Sequence, residues 1–149
     1  MTDRVFVDTN VLLYRFSDAT PGKRDAANAW MDALWAADAG CISWQVLLEF
    51  YPNATRKSGV AARIARQAIR DLLPWNPISP TDEIIEHAWR WCDAAQLNFW
   101  DALILAAAEQ SNCPYLLSED FQAGRRYGKV TVVNPFERQP SEFPSLTPR

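Results

Sequence analysis

The sequence has one histidine, three cysteines and no hydrophobic run long enough to cross a bilayer. His87 lies on a polar stretch without an evident partner, so catalysis by histidine is not expected. The isolated Cys41, Cys92 and Cys113 fit reduced, packed thiols better than a disulfide framework or a zinc site. The N-terminus enters a strand-like run directly, without the features of a signal peptide. We therefore expect a cytoplasmic protein that does not bind membranes.

Positive charge is also in short supply, because 15 Lys and Arg stand against 18 Asp and Glu, for a formal net charge of −3. This balance argues against a protein that binds nucleic acid through its overall charge. Two local basic clusters remain: Arg56, Lys57, Arg63, Arg66 and Arg70, and Arg125, Arg126 and Lys129. Both clusters are compatible with solvated helix faces and with phosphate contacts, and the sequence leaves these alternatives open.

The chain of 149 residues, 48% of them hydrophobic, is one globular domain in which short apolar runs alternate with longer helical ones. The predicted strands are Arg4 to Asp8, Gly40 to Ser43, Trp75 to Ile78, Tyr115 to Ser118 and Val130 to Val133. This alternation predicts an α/β fold with a central, mainly parallel five-stranded sheet. We assign residues 1–136 to the domain. Residues 137–149 are expected to form an irregular or partly disordered tail, because the segment from Pro135 onwards is rich in proline.

Two amphipathic helices are predicted from apolar residues at helical spacing, over Lys23 to Ala37 and over Val60 to Leu73. Helix starts are indicated by Ser43, by Thr81 and by Asn98, the last with Asp101 in the pattern of a capping box.

Four acids, Asp8, Glu49, Asp101 and Asp120, lie far apart in the sequence and are each set in apolar surroundings. An unpaired carboxylate is costly to bury, and few cations lie near these four. In a parallel sheet the carboxyl ends of the strands share one edge, where Asp8 and Asp120 are expected, and a crossover can bring Glu49 and Asp101 there. A hard divalent cation would explain all four acids together.

Each acid also has a simpler explanation. Asp8 can cap the short helix that follows it, Asp101 can be a capping acid and Asp120 can cap a turn. Glu49 can point sideways into water, although its apolar neighbours make this explanation weaker than the others.

Val5 to Tyr14 contains Asp8-Thr9-Asn10 after a strand-like run, and Leu116 to Gly124 contains Ser118-Glu119-Asp120 after another. The first segment resembles the opening strand and turn of the PIN-domain nucleases, and the second resembles their closing acidic motif. The segments around Glu49 and around Asp101 match the two inner acids in order and spacing. The ending Val130 to Phe136 looks like that of VapC toxins from bacterial toxin–antitoxin pairs, so the resemblance covers nearly the whole chain.

The resemblance implies a PIN-like fold, with helices on both faces of the sheet, and a metal-dependent endoribonuclease that cleaves structured RNA such as tRNA or rRNA. Asp8, Asp101 and Asp120 would hold Mg²⁺ or Mn²⁺, and Glu49 would bind metal or orient the attacking water. It further implies that Thr9, Asn10 and Ser118 support the site.

By the same resemblance, the partners would be a cognate antitoxin and a second copy of the chain, with higher hetero-oligomers formed with the antitoxin. An amphipathic antitoxin segment would occupy a groove beside Trp30, Trp35, Ile64 and Leu72. Because aromatic residues usually bury, the tryptophans are also compatible with plain core.

Three other interpretations compete with an RNA-cleaving enzyme. A phosphoacceptor receiver domain needs a lysine at the end of its last strand, whereas Lys129 precedes that strand here and Asn134 follows it. A catalytically weak PIN-fold module that only binds nucleic acid or protein is disfavoured by the complete set of acids. A DNA-directed PIN nuclease usually carries extra helical arches, for which this chain has no room.

Overall fold

The computed structural model describes residues 2–146 and has one five-stranded sheet in the order β2-β1-β3-β5-β4. The strands are β1 (Val5–Val7), β2 (Gly40–Cys41), β3 (Tyr115–Leu117), β4 (Arg126–Tyr127) and β5 (Val130–Val133). All neighbouring pairs are parallel except β4 with β5, which is antiparallel. The predicted α/β class with a mainly parallel five-stranded sheet is confirmed.

Six α-helices accompany the sheet over the described residues. They are α1 (Thr9–Tyr14), α2 (Pro21–Ala37), α3 (Trp44–Pro52), α4 (Ala62–Leu72), α5 (Asp82–Ala95) and α6 (Phe99–Gln110). The expected caps are present, since the side chains of Ser43, Thr81 and Asn98 accept backbone N–H groups at the starts of α3, α5 and α6. None of the helices in residues 2–146 is long and apolar enough to span a membrane.

The predicted strand over Trp75 to Ile78 is wrong. Leu73–Trp75 forms a 3₁₀ turn, and Ile78 makes only an isolated bridge to Ser43. The indole of Trp75 lies so close to β2 that a Cβ on Gly40 would be 2.2 Å from it. Trp75 therefore covers the edge strand as a side chain instead of extending the sheet. The fifth strand is β4, which has only two residues and lacks the alternation of apolar and polar residues that predicts a strand.

The main core lies between the sheet and the helices that cover it, with Phe6 of β1 and Leu116 of β3 fully buried and in register with each other. A smaller core, formed by residues such as Ile84, Ala88 and Ala106, joins α5 to α6. The three cysteines are free, and Cys41 and Cys113 are buried, in agreement with the expected packed thiols.

The C-terminal segment up to residue 146 contains two short 3₁₀ turns, Pro140–Glu142 and Pro144–Leu146, and packs against α2. Phe143 is buried, and its ring meets the indole of Trp30 edge to face at 5.4 Å. Residues 147–149 of the expected tail lie outside the described residues.

Candidate active site

Asp8 follows β1 directly and is the N-cap of α1, where its Oδ1 accepts the N–H of Thr9 at 2.7 Å. The strand belongs to the core and the carboxylate is only 4% exposed. The simpler capping explanation is thus correct for Asp8, but it accounts for one oxygen only. The other oxygen, Oδ2, accepts from the hydroxyl of Ser118 at 2.7 Å, across the two central strands.

Asn10 connects the first strand end to the loop after β3. Its Nδ2 lies 3.3 Å from Asp8 Oδ2 and 3.1 Å from Asp120 Oδ2. Its Oδ1 accepts the backbone N–H of Glu119 at 3.2 Å. The buried hydroxyl of Ser118 accepts the N–H of Asp120 at 3.1 Å. Neutral donors therefore hold Asp8 and Asp120 side by side.

Glu49 reaches the same region from the middle of α3. Its Oε2 accepts from the hydroxyl of Thr9 at 3.0 Å, and its Oε1 accepts from Nε2 of Gln45, one turn earlier, at 2.8 Å. The carboxylate is half-buried, so it does not point freely into water. Thr9 thereby joins the helix after β1 to the helix after β2.

Asp101 lies in the first turn of α6. Its backbone N–H bonds Asn98 Oδ1 at 2.9 Å, and its carboxylate accepts from Asn98 Nδ2 at 2.7 Å. This arrangement resembles a capping box, except that the amide side chain of Asn98 replaces its backbone N–H as the donor. Asp101 is half-buried, whereas Asp120 is exposed, so full burial of all four acids is not observed.

The charges of the four acids act on one another. Burial raises the pKa of Asp8 to about 7, against the hydrogen bonds from Ser118 and Thr9, and the charges of Asp120 and Asp101 raise it further. Burial also raises the pKa of Asp101, against the bond from Asn98, and the charges of Asp120 and Glu49 add to the rise. The structure thus brings the four predicted acids into one electrostatically coupled group.

The donor chemistry of this group fits a hard divalent cation, because all four candidate ligands are carboxylates and their mutual repulsion would be relieved by positive charge. The spacing is not that of a finished metal centre. Within residues 2–146, no three acidic, His or Cys side chains converge closely enough to form a ligand group. Asp8 and Asp120, held by the same amide, are the two acids most directly joined.

The expected groove residues divide into two pairs. Trp30 and Leu72 are buried, so their prediction as groove residues is wrong. Trp30 lies beneath its own C-terminal segment, where its Nε1 donates to the carbonyl groups of Pro135 and Arg138. Trp35 and Ile64 are about two-fifths exposed, at 42% and 39% respectively, and remain available to a partner.

Two contributors to this site were not recognised in the sequence. Gln45 holds Glu49 and also donates to the carbonyl of Trp100 at 3.1 Å. Its spacing of four residues from Glu49 on a helix was a signal that could have identified it. The second is Lys23, which forms an ion pair with Glu119, between Ser118 and Asp120, and has no local sequence signal. His87, as expected, lies elsewhere, in a cleft with Trp91 and Glu109.

Comparison with known proteins identifies the family and the fold relatives of this chain. A family model described as the PIN domain matches residues 5–129. No curated protein matches the chain. Among solved structures, a toxin–antitoxin complex from Klebsiella pneumoniae contains a chain with 22% identity and a TM-score of 0.62, and the similarity covers 88% of this chain and 97% of that one.

A second solved structure is that of VapC20 from Mycobacterium tuberculosis, described as a sarcin–ricin loop cleaving toxin. It shares 25% identity at a TM-score of 0.58, and the similarity covers 78% of this chain and 91% of that one. Because the family match spans most of the sequence, this chain belongs to the PIN domain family. The family resemblance seen in the sequence is thereby confirmed.

Proposed function

We propose that this protein is a divalent-cation-dependent endoribonuclease and the toxin of a toxin–antitoxin pair. The observation that carries the proposal is the coupled acid group, in which the pKa of the buried Asp8 is raised to about 7. A carboxylate held in this way is a poor structural element without a counter-charge, yet the charges nearest to it are those of Asp120 and Asp101. Membership in the PIN family supports the nuclease class.

In this proposal Asp8, Asp101 and Asp120 hold the cation, which is Mg²⁺ or Mn²⁺. When bound, the cation supplies Lewis-acid stabilisation of the scissile phosphate and acidifies a water molecule. Glu49 binds the cation or orients the attacking water, and Gln45 and Thr9 fix its carboxylate. Hydrolysis by this route needs no nucleophilic side chain and leaves a 5′-phosphate and a 3′-hydroxyl.

Structured RNA is the proposed substrate. Support comes from the similarity to VapC20, a toxin that cleaves the sarcin–ricin loop. Loops of this kind display unstacked bases, which are the usual basis of sequence recognition in RNA. We expect a loop in tRNA or rRNA to be cut at one position.

The experiment that tests the activity compares the purified wild type with Asp8→Asn on total tRNA, rRNA and a DNA strand. Cleavage of RNA should stop with EDTA and resume with Mg²⁺ or Mn²⁺, and the substitution should lower the rate about 10³-fold or more. Expression of the wild type should arrest growth, and Asp8→Asn at equal protein level should not. Undiminished cleavage by a folded Asp8→Asn protein would contradict the role of this site. Cleavage of DNA alone would show that the substrate is DNA and not RNA.

The proposed partner is an antitoxin whose amphipathic segment contacts Trp35 and Ile64. Support comes from the similarity in fold to a chain of a toxin–antitoxin complex. Ile64 and Phe16 line a cleft of about 520 Å³ together with Arg15, Arg63, Arg70 and Asp71, so the cleft offers apolar groups and more basic than acidic ones. An acidic, amphipathic helix would match this surface. We also propose a homodimer, which would join larger assemblies with the antitoxin.

Paired tryptophan substitutions test this surface. Trp35→Ala should weaken binding of a co-expressed antitoxin by about 2 kcal/mol or more, as for an interface anchor, with little change in folding stability. Trp30→Ala is the control for a buried indole and should lower the free energy of unfolding by about 3–5 kcal/mol. A loss of stability in Trp35→Ala as large as that in Trp30→Ala would assign Trp35 to the core instead.

A further inference from the structure

An open cleft of about 590 Å³ lies beside the acid group, between α3, Pro80 in the segment before α5 and the first turns of α6. Its walls are largely apolar and are formed by Trp44, Leu48, Pro80 and Trp100. Leu48 is 68% exposed and Trp100 is 63% exposed, which is unusual for side chains of this size on a chain with a well-packed core. The volume lies within the range of about 300–1,000 Å³ that is typical of ligand clefts.

This cleft is continuous with the candidate active site. Glu49 belongs to both, since it lines the cleft and is also bonded to Thr9 beside Asp8. Gln45 bridges the two regions, with one amide group donating to Glu49 and to the carbonyl of Trp100. Asp101 follows Trp100 directly in the chain. A molecule seated in the cleft would therefore lie alongside the carboxylates.

The backbone of Trp100 is held in place, and its indole, most of which is exposed, rests against Phe99. Its ring meets that of Phe99 edge to face, with centroids 5.5 Å apart and planes at 68°. Its backbone belongs to the first turn of α6, which is capped by Asn98, and its carbonyl group accepts from Gln45. With its backbone fixed and only two side-chain torsions, Trp100 loses little entropy when a ligand stacks on it.

We propose that this cleft binds an unstacked nucleobase of the RNA substrate, next to the phosphate that is cleaved, and that Trp100 is the stacking platform. This inference rests on the function proposed above. Every nucleobase has a π-face that stacks on an indole and an edge that needs hydrogen-bond partners. The amide oxygens of Gln45 and of Asn53, which also lines the cleft, supply acceptors for such an edge, since Gln45 Nε2 already donates to Glu49 and Trp100 and Asn53 Nδ2 donates to the carbonyl of Glu49.

A protein surface is a poorer occupant of the cleft. A second copy packed over these walls would remove Glu49 from water, and a carboxylate that loses its hydration without a counter-charge is costly. A single base covers the indole and the apolar wall and leaves the carboxylates accessible to a cation and to water. An aromatic surface beside an acid group therefore fits a single strand of nucleic acid better than it fits a second protein surface.

The test uses binding, so that it does not depend on cleavage. The probe is a short single-stranded RNA with a fluorescent label, and its anisotropy is measured in the Asp8→Asn background. Adding Trp100→Ala should weaken binding about tenfold, as for loss of one stacked base, and Trp100→Phe should retain most of the affinity. Trp89→Ala is the matched control, since Trp89 is 52% exposed on α5 and should contribute nothing.

A second probe, the same RNA with one abasic residue placed at each position in turn, identifies the base. At the position that occupies the cleft, loss of the base should weaken binding as much as Trp100→Ala does, and the two changes together should cost no more than either alone. Equal binding by the Trp100→Ala and Trp89→Ala proteins would overturn the proposal, as would the absence of RNA binding by Asp8→Asn. A dimer that dissociates on Trp100→Ala with RNA binding unchanged would assign the cleft to a second copy.

The experiments give different results when the nucleobase site is wrong and when the proposed nuclease activity is wrong. If wild-type protein cleaves RNA and Trp100→Ala binds and cleaves normally, only the nucleobase site is lost. If no RNA is cleaved in any metal, yet binding still depends on Trp100 and on one base, the cleft stands and the catalytic assignment is lost.

Discussion

The acid group has two halves that the chain builds in different ways. In the strand-end half, Asp8 and Asp120 follow two neighbouring parallel strands and are joined by Asn10 and Ser118 in one continuous set of hydrogen bonds. In the helix half, Glu49 and Asp101 extend from α3 and α6 and are each held by an amide on the same helix or at its cap. The first half is tied to the core. In the second half, Asp101 is held only by its own helix cap, whereas Glu49 also accepts from Thr9 of α1.

This difference indicates how a cation would complete the site. Asp8 is already fixed, because moving it would break contacts on both sides of the central strands. Asp120 is exposed and Glu49 and Asp101 are half-buried, so these three side chains can adjust more readily than Asp8. In the proposed function, Asp8 would therefore fix where a cation binds, and the other three acids would move towards it.

The largest effect is expected in the pH dependence of stability of the metal-free protein. Because the pKa of Asp8 is about 7 in the folded protein against an ordinary value of 3.8, the folded state keeps a proton that the unfolded state has lost between these pH values. Stability should therefore fall as pH rises from about 4 to 7, by up to about 4 kcal/mol. Urea unfolding at a series of pH values measures this fall.

Asp8→Asn should remove most of that slope and leave the metal-free protein more stable than wild type at about pH 8, because an asparagine keeps the cap on α1. Mn²⁺ should restore stability to the wild type only. Asp93→Asn, an exposed change on α5, is the control and should leave the slope as it was. If the stability of the wild type rose with pH instead, the pKa of Asp8 would not be raised in the folded protein.

Binding of Mn²⁺ separates the two halves next. Asp8→Asn should weaken binding about 100-fold, which corresponds to about 3 kcal/mol, and Asp101→Asn should weaken it less, by about tenfold. Isothermal titration calorimetry gives both affinities. An unchanged affinity for Mn²⁺ in both proteins would show that these acids do not form the cation site. A larger loss of affinity in Asp101→Asn than in Asp8→Asn would show that the helix half contributes more to binding than the strand-end half.

The strand-end half could be predicted from the sequence more completely than the rest. Asp8 and Asp120 follow apolar strand-like runs, and the carboxyl ends of parallel strands must share an edge. The convergence of Glu49 and Asp101 was permitted but not required, because helix direction depends on packing that no local pattern encodes. The contacts of Gln45 with Glu49 and Trp100 show the same limit, since only the first has a helical spacing.

The misassigned elements have a common physical reason. The alternation of short runs along the chain predicts a strand from Trp75, but the indole of Trp75 covers Gly40 across the fold. The family resemblance implies a groove beside Trp30, but a segment more than a hundred residues later covers this indole. In both cases a long-range contact decides whether a large side chain is exposed, and composition and periodicity do not report such contacts.

Within the strand-end half, Ser118→Ala should lower the free energy of unfolding by about 1–3 kcal/mol. The buried hydroxyl of Ser118 donates to Asp8 and accepts the N–H of Asp120, so its removal leaves both groups short of a partner. Ser58→Ala is the surface control and should change stability by no more than about 0.5 kcal/mol. Equal stability of the two variants would mean that these bonds do not fix the strand-end half.

The smallest effect is expected from Gln45→Ala in the helix half, and it should appear in activity more than in stability. Gln45 is half-buried and holds one oxygen of the Glu49 carboxylate from one turn away, so its loss leaves Glu49 held by Thr9 alone and opens no core cavity. The rate of RNA cleavage should fall about tenfold, which is the lower end of the cost of losing a group that positions a metal-binding side chain. The free energy of unfolding should change by less than about 1 kcal/mol.

Gln67→Ala is the matched control for this change. Gln67 donates to Asp71, four residues later on α4, at the same 2.8 Å that separates Gln45 from Glu49, but it lies on an exposed face away from the acids. Single-turnover cleavage with wild type, Gln45→Ala and Gln67→Ala distinguishes a local helix effect from a site effect. A pair of this kind contributes only about 0.2–0.5 kcal/mol to a helix, so neither substitution should unfold the protein. Equal cleavage rates in all three proteins would show that Glu49 needs no fixed position. The helix half would then contribute only its negative charge to the site.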